Sequence, residues 1–488
     1  MILRIDIDRT SPVGLRDQVH AEISQVILDG ILPPGSKLPS VRLLAGQLDV
    51  SVNTVLGAYA RLLEDELIES RHRSGYFVHS NLRLAPPNGS DVVSEVHQSV
   101  DLEKHLNTKV RPSRNKSIKR PENWRDCPYP LVCGQIDVAH FPLTEWRECT
   151  RLAMNRHDLS IWTGDNFYRD SEELLDQIRK RILPLRGIFT FSENILVTMG
   201  SQQSLYIVAS LLGGADKTVA FEDPGYPEAR NIFERLFGNV QFIEVDDEGL
   251  VVDERLMGVD LVYVTANRQF PTTASMSAAR RNLLLQKADE YDFLILEDDY
   301  DGELNYRKDI NLALQRQDKS GRVIYIGSMS KSLAPGLRIG FLVADPRLIT
   351  EARALRGLMI RHAPMILQNT AALFLRFGHY DALLSRLHAS LEQRWILAHE
   401  ILKQDFQDFQ ISSSLGGTNF MMTDLSQTRT AKQIVACALS DGVVIEEISS
   451  CYHDPGDGTY SFRFGISCVD DAALEEGLGK LRCAINEG

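Results

Sequence analysis

Across residues 126–488 the chain repeats one pattern: a short apolar run rich in β-branched residues, then a longer stretch of helical period. Asn194-Ile195-Leu196-Val197-Thr198, Thr218-Val219-Ala220-Phe221, Leu261-Val262-Tyr263-Val264 and Phe293-Leu294-Ile295-Leu296 are four such runs. Strands that are apolar on both faces are covered on both sides, and strands that alternate with helices pair in parallel. The pattern predicts a mostly parallel α/β sheet with ligands at the carboxyl ends of its strands. It shows no internal repeat.

At 488 residues the chain exceeds one ordinary domain, and its first eighty residues read differently. Ser11-Pro12 predicts a helix start, with Leu15, Val19, Ile23 and Val26 at helical spacing and Gly30 as a stop. Ser40 caps a second helix carrying Leu43, Leu44 and Leu48, and Ser51 a third with Val55, Tyr59 and Leu62 on one face. Leu67–Ser70 and Tyr76–Val78 then flank Arg71-His72-Arg73-Ser74-Gly75, two short strands and a tip. Three capped helices and a hairpin make a winged helix-turn-helix, a module that reads double-stranded DNA. Ser51, Asn53 and Thr54 open its third helix, suited to base edges; Ser40 and Arg42 suit phosphates, and Arg71, Arg73 and Gly75 an adjacent groove or backbone.

Residues 81–125 are rich in Pro, Asn, Ser and charge, which predicts a flexible linker. The domain reading is therefore 1–80, a linker over 81–125, and 126–488. The net charge of −13 argues against polyanion binding by the whole surface. Residues 1–80 hold eight Lys/Arg against ten Asp/Glu, so phosphate affinity there must come from local patches, helped by the basic run Lys109–Arg120. Seven scattered cysteines with no Cys-x-x-Cys spacing read as reduced thiols without a metal site. With no signal-peptide pattern and no run long enough to span a bilayer, the expectation is a cytoplasmic protein without a membrane partner.

The chemistry is concentrated in Gly327-Ser328-Met329-Ser330-Lys331-Ser332-Leu333-Ala334-Pro335-Gly336-Leu337-Arg338-Ile339-Gly340. A lysine among small hydroxyl residues at a strand end, with an arginine seven residues on, suits an aldehyde cofactor carrying a phosphate. The amine forms a Schiff base, while the hydroxyls and guanidinium take the anion. Thr198–Gln203 follows a strand and opens a helix, whose backbone N–H groups suit a phosphate. Tyr226, in Glu222-Asp223-Pro224-Gly225-Tyr226-Pro227, is placed to stack on a flat ring. A carboxylate in Glu297-Asp298-Asp299-Tyr300 can keep a pyridine nitrogen protonated, and Tyr300 can donate to a ring phenolate. Arg463, between Phe462 and Phe464, suits a substrate carboxylate.

Leu38-Pro39-Ser40-Val41-Arg42-Leu43-Leu44-Ala45, Val50–Val55, Ala58-Tyr59 and Ser74–Val78 resemble the GntR-type winged helix, though Val52 stands where that family often has an arginine. The large region resembles the fold-type I aminotransferases that use pyridoxal 5′-phosphate (PLP), and the whole chain resembles the MocR subfamily of GntR regulators. The resemblance implies a multidomain protein with an N-terminal winged helix-turn-helix and a C-terminal α/β PLP-dependent transferase-like domain. It implies Lys331 as the Schiff-base lysine and Asp298 and Tyr300 at the ring nitrogen and oxygen. It further implies Ser201, Gln202, Ser328, Ser330 and Arg338 at the phosphate, Tyr226 on the ring and Arg463 at the effector carboxylate. MocR proteins commonly show His-Gln-Phe-Pro-Thr-Gly where this chain has Arg268-Gln269-Phe270-Pro271-Thr272-Thr273. Gln269 is then the candidate for the ring-oxygen contact, and Arg268 either selects the ligand or faces solvent.

The function implied is a PLP-dependent regulator that binds DNA as a head-to-tail homodimer and senses an amine or amino-acid effector through an external aldimine. A genuine PLP-dependent aminotransferase with an accessory DNA-binding domain is the alternative, and a sensor of PLP itself a third.

Overall fold

The computed structural model describes residues 5–82, 104–106, 112–155, 159–165, 167–307, 312–414 and 416–486. The chain divides into two compact units, Met1–Thr108 and Lys109–Gly488. Much of the segment read as a linker lies outside the described residues. Its last part, 112–125, belongs to the second unit, where the Lys116 carbonyl accepts from Asn231 Nδ2 at 2.8 Å.

The first unit has helices α1 (Leu15–Leu28), α2 (Val41–Leu48) and α3 (Val52–Glu64), then strands β1 (Ile68–Arg71) and β2 (Gly75–Val78). The strands pair antiparallel, from Ile68 opposite Val78 to Arg71 opposite Gly75. Ser40 Oγ accepts from Leu43 N and Ser51 Oγ from Thr54 N, so each hydroxyl satisfies an otherwise orphaned helix-start donor. α1 starts later than Ser11-Pro12 suggests. Gln18 Nε2 donates to the Asp8 and Val13 carbonyls, which holds 8–13 as a turn and leaves Gly14 as the cap. Val19, Ile23 and Ile27 meet Leu44, Val55, Tyr59 and Leu62 in a core of the unit's own. Leu43, expected inside, is exposed, because the inward stripe of α2 runs through Leu44 and Ala45.

The second unit is built on an eight-stranded sheet: β3 (Ile195–Thr198), β4 (Gly214–Asp223), β5 (Phe237–Asp246), β6 (Gly249–Leu250), β7 (Leu261–Val264), β8 (Leu294–Asp299), β9 (Val323–Ser328) and β10 (Gly340–Val343). The spatial order is β3-β10-β9-β8-β7-β4-β5-β6. β9, β8, β7, β4 and β5 run parallel, while β10 is antiparallel to both β3 and β9. The carboxyl ends of β3, β4, β7, β8 and β9 therefore share one edge. A second, antiparallel sheet holds β11 (Phe409–Ser412), β12 (Asn419–Asp424), β13 (Glu446–Glu447) and β14 (Ser461–Gly465) in the order β11-β12-β14-β13.

β3 is fixed by a buried ion cluster. Asp170 accepts from Arg353 at 2.7 Å, from Arg356 at 2.5 Å and from Val197 N at 3.3 Å. Arg356, fully buried, also donates to the Val197 carbonyl. Asp170→Ala leaves that guanidinium uncompensated and is expected to cost about 3–5 kcal/mol of stability. A lowered denaturant midpoint, followed by circular dichroism, checks this.

Candidate cofactor and effector site

The edge formed by the strand ends opens into a cavity of about 530 Å³. Among its lining, Ser201 and Gln202 begin the helix Ser201–Leu212, Ser328 ends β9 and Ser330 follows it. Arg338 Nη2 donates to the Met199 carbonyl at 3.1 Å. Gly200, at φ +79°, gives Arg338 its room: a Cβ there would lie 2.8 Å from Nη2. Free helix-start N–H groups, two hydroxyls and a guanidinium form a cradle for a phosphate.

Asp298, the last residue but one of β8, lies in the same cavity. Its Oδ2 accepts from Tyr263 OH at 3.0 Å; its Oδ1 is buried with no partner among the described residues. Burial pushes the carboxyl up to about 7, against the lowering hydrogen bond from Tyr263. A buried carboxylate oxygen without a donor lacks a positively polarised N–H group.

Lys331 lies beyond β9, with Nζ 3.3 Å from the Gly134 carbonyl. Burial lowers its pKa, and the charges of Arg463 and Arg120 lower it further, favouring the neutral, nucleophilic amine. Gly134, at φ +70°, must lack a side chain because a Cβ would collide with Nζ. Tyr226 and Tyr300 also line the cavity, each edge-on to Phe270, with ring centroids 5.1 and 6.0 Å away.

Arg463, on β14, stacks over Phe270 at 4.3 Å and donates through Nε to Glu446 at 2.7 Å. Burial opposes its charge, but Glu446 outweighs this and raises its pKa. The opposite end of Glu446 is taken by Arg120. Arg120 and Glu446 were missed. The first sits in a segment whose composition reads as linker, and the second on a strand of two residues.

Two expected site residues stand behind the cavity wall instead. Gln269 Nε2 donates to the Pro224 and Phe270 carbonyls, both at 2.7 Å, and its Oε1 accepts from Thr272. With its amide spent on its own turn, it makes no ring-oxygen contact. Arg268 is 5% exposed, so it does not face solvent, and it is not among the residues that line the cavity. It lies 3.0 Å from Asp301 and donates to the Gly416 carbonyl at 2.7 Å.

In the first unit, Arg42, Asn53, Arg73 and Gly75 are exposed, and no hydrogen bond ties the side chains of Arg42, Asn53 or Arg73 to described residues. Ser40, Ser51 and Thr54 are engaged in capping. Arg71 is committed to Glu69, Ser80 and the face of Phe77.

Residues 15–78 match the bacterial regulatory proteins of the gntR family, and residues 139–481 match aminotransferase class I and II. The HTH-type transcriptional regulator TauR of Rhodobacter capsulatus is 34% identical, over 97% of this chain and 96% of its own. The probable rhizopine catabolism regulatory protein MocR of Rhizobium meliloti is 27% identical, over 98% and 95%. This chain is a MocR-type regulator of the gntR family. Among solved structures, Pyrococcus horikoshii kynurenine aminotransferase superposes with a TM-score of 0.70 at 25% identity, covering 80% of this chain and 98% of its own. Among the described residues, no helix is long and apolar enough to cross a membrane.

The cavity of this MocR-type regulator fits pyridoxal 5′-phosphate: a phosphate cradle, an amine of lowered pKa and an orphaned carboxylate oxygen share one wall. Asp298 also yields a pH prediction. Its folded pKa lies above its usual 3.8, so the fold favours the protonated form. Cofactor-free stability is then expected to fall as pH rises from about 4 through about 7. In Asp298→Asn this fall is smaller, while cofactor affinity drops about tenfold or more. Melting of the cofactor-free protein across that range, and a cofactor titration, measure the two effects.

Proposed function

We propose that this protein is a PLP-dependent transcription regulator whose winged helix binds operator DNA and whose cavity senses an amine or amino acid. The domains assigned are 1–80 for DNA and 126–488 for cofactor and effector, working as a head-to-tail homodimer in the cytoplasm. The observation that carries the reading is the pairing, on one chain, of a capped winged helix with exposed Arg42, Asn53 and Arg73 and a cavity that holds Lys331 and Asp298.

When bound, the cofactor supplies a carbonyl that takes up a primary amine reversibly. Lys331 would hold it through its side-chain nitrogen, whose lowered pKa favours the neutral amine. Asp298 would hold a proton on the ring nitrogen, Tyr300 would donate to the ring oxygen, and Tyr226 would pack on the ring. Ser201, Gln202, Ser328, Ser330 and Arg338 bind the phosphate. Arg463 takes the effector's acid group through its Nη atoms, since its Nε is held by Glu446. Coupling to DNA requires that the effector favour one arrangement of the protein over another.

The presence of lysine, aspartate and arginine in one cavity also favours an aminotransferase reading, distinguished by steady turnover of an amino donor with a keto acid.

Lys331→Ala is expected to leave no pyridoxyl adduct after borohydride reduction and to abolish the transcriptional response to amines. Without effector, DNA affinity should stay within about twofold, because Lys331 lies outside the DNA-binding unit. An unchanged response in that variant overturns the mechanism. Arg73→Ala is expected to weaken DNA binding alike across sequences and to reduce the salt slope by about one. Affinity measured over a salt series tests this.

A further inference from the structure

One wall of the cavity comes from the segment that leads into the second unit. Asn231 anchors the Lys116 carbonyl, and Ile118 packs on the cluster of Phe270, Met421, Ile448 and Cys451. Arg120 then donates to the Cys133 carbonyl at 2.8 Å and pairs with Glu446.

Glu446 is fully buried and gives one oxygen to each of two guanidiniums, Arg120 and Arg463, through their Nε atoms. Burial opposes its charge, but the two arginines hold its carboxyl below the usual range. Both arginines line the cavity. Among the described residues, neither Nη atom of Arg463 nor Nη1 of Arg120 donates to a protein group. Within this trio, two cations against one anion leave one positive charge with forked donors facing the cavity; Glu228 also lines the cavity, but burial raises its pKa and favours its neutral form. A single acid group matches that charge and those donors; an amine without one leaves both unmatched.

We propose that Arg120 and Arg463, bridged by Glu446, form one acid-binding fork that makes the site selective for amines carrying an acid group. The proposal rests on the effector-site reading above and adds Arg120 as the residue that sets selectivity. The effector's acid is thereby gripped in part by the segment covalently continuous with the chain leading to the DNA-binding unit.

The test uses full-length, cofactor-loaded protein and straight-chain amino acids of increasing length, each paired with the alkylamine of the same length. The cofactor's absorption band reports binding. In the wild type, the best amino acid is expected to half-saturate at a concentration about tenfold or more below its paired alkylamine. Arg120→Gln should bring that ratio toward one. Arg120→Lys, which keeps the charge but not the planar fork, should give an intermediate ratio. A ratio near one in the wild type, or a ratio that survives Arg120→Gln, overturns the proposal. If neither kind of amine changes the band, the effector-site reading falls, and the proposal falls with it.

Discussion

The carboxylate of Asp298, held out of water at the end of β8, sets the conditions for the rest of the cavity. One oxygen is satisfied by Tyr263 and the other by nothing among the described residues. Leaving such a group unpaired is costly, so the fold holds a site whose balance is completed by a polarised N–H group from outside. The same low-dielectric surroundings depress the pKa of Lys331, because burial works against whichever form is charged. One physical condition, exclusion of water, thus shifts an acid toward its protonated form and a base toward its neutral form on neighbouring strand ends.

That condition survives only if the strand ends stay in place. β9 delivers Ser328, Ser330 and Lys331, and β10 returns antiparallel so that Gly340 passes close to Gly200. A side chain at Gly340 would lie 2.8 Å from the Gly200 backbone, so the phosphate cradle depends on two glycines in contact. Behind them, Asp170 ties β3 to the helix Pro346–Ile360 through Arg353 and Arg356. Positive charge buried beneath the sheet holds the strand that carries the helix start.

What the sequence disclosed and what it concealed follow from how far each residue reaches. Lys331, the serines and Arg338 lie within eleven positions of one another at a strand end, so local pattern exposed them. The parallel strands were visible as apolar runs. The antiparallel direction of β10 was not, because an apolar run has the same period in either direction. Arg268 and Gln269 each also reach a distant carbonyl that local pattern does not show. The Gly416 carbonyl lies 148 positions from Arg268, and the Pro224 carbonyl 45 positions from Gln269. Arg120 and Glu446, 326 positions apart, were concealed for the same reason. Composition described the segment around Arg120 as solvated when its arginine reaches a buried carboxylate.

The first unit raises the converse question, how a slightly acidic module grips a polyanion. Four of its cations are already paired: Arg9 with Asp49, Arg16 and Arg61 with Asp17, Arg71 with Glu69. These pairs cancel acidic charge near the surface while leaving few cations for phosphate. Lys37 sits over Phe77, and Arg42 and Arg73 are exposed. Affinity drawn from counterion release scales with the number of phosphates neutralised, so so short a set gives one head modest, salt-sensitive binding. A second head on the same DNA would double that set without any new contact, which is the physical case for a dimeric operator complex.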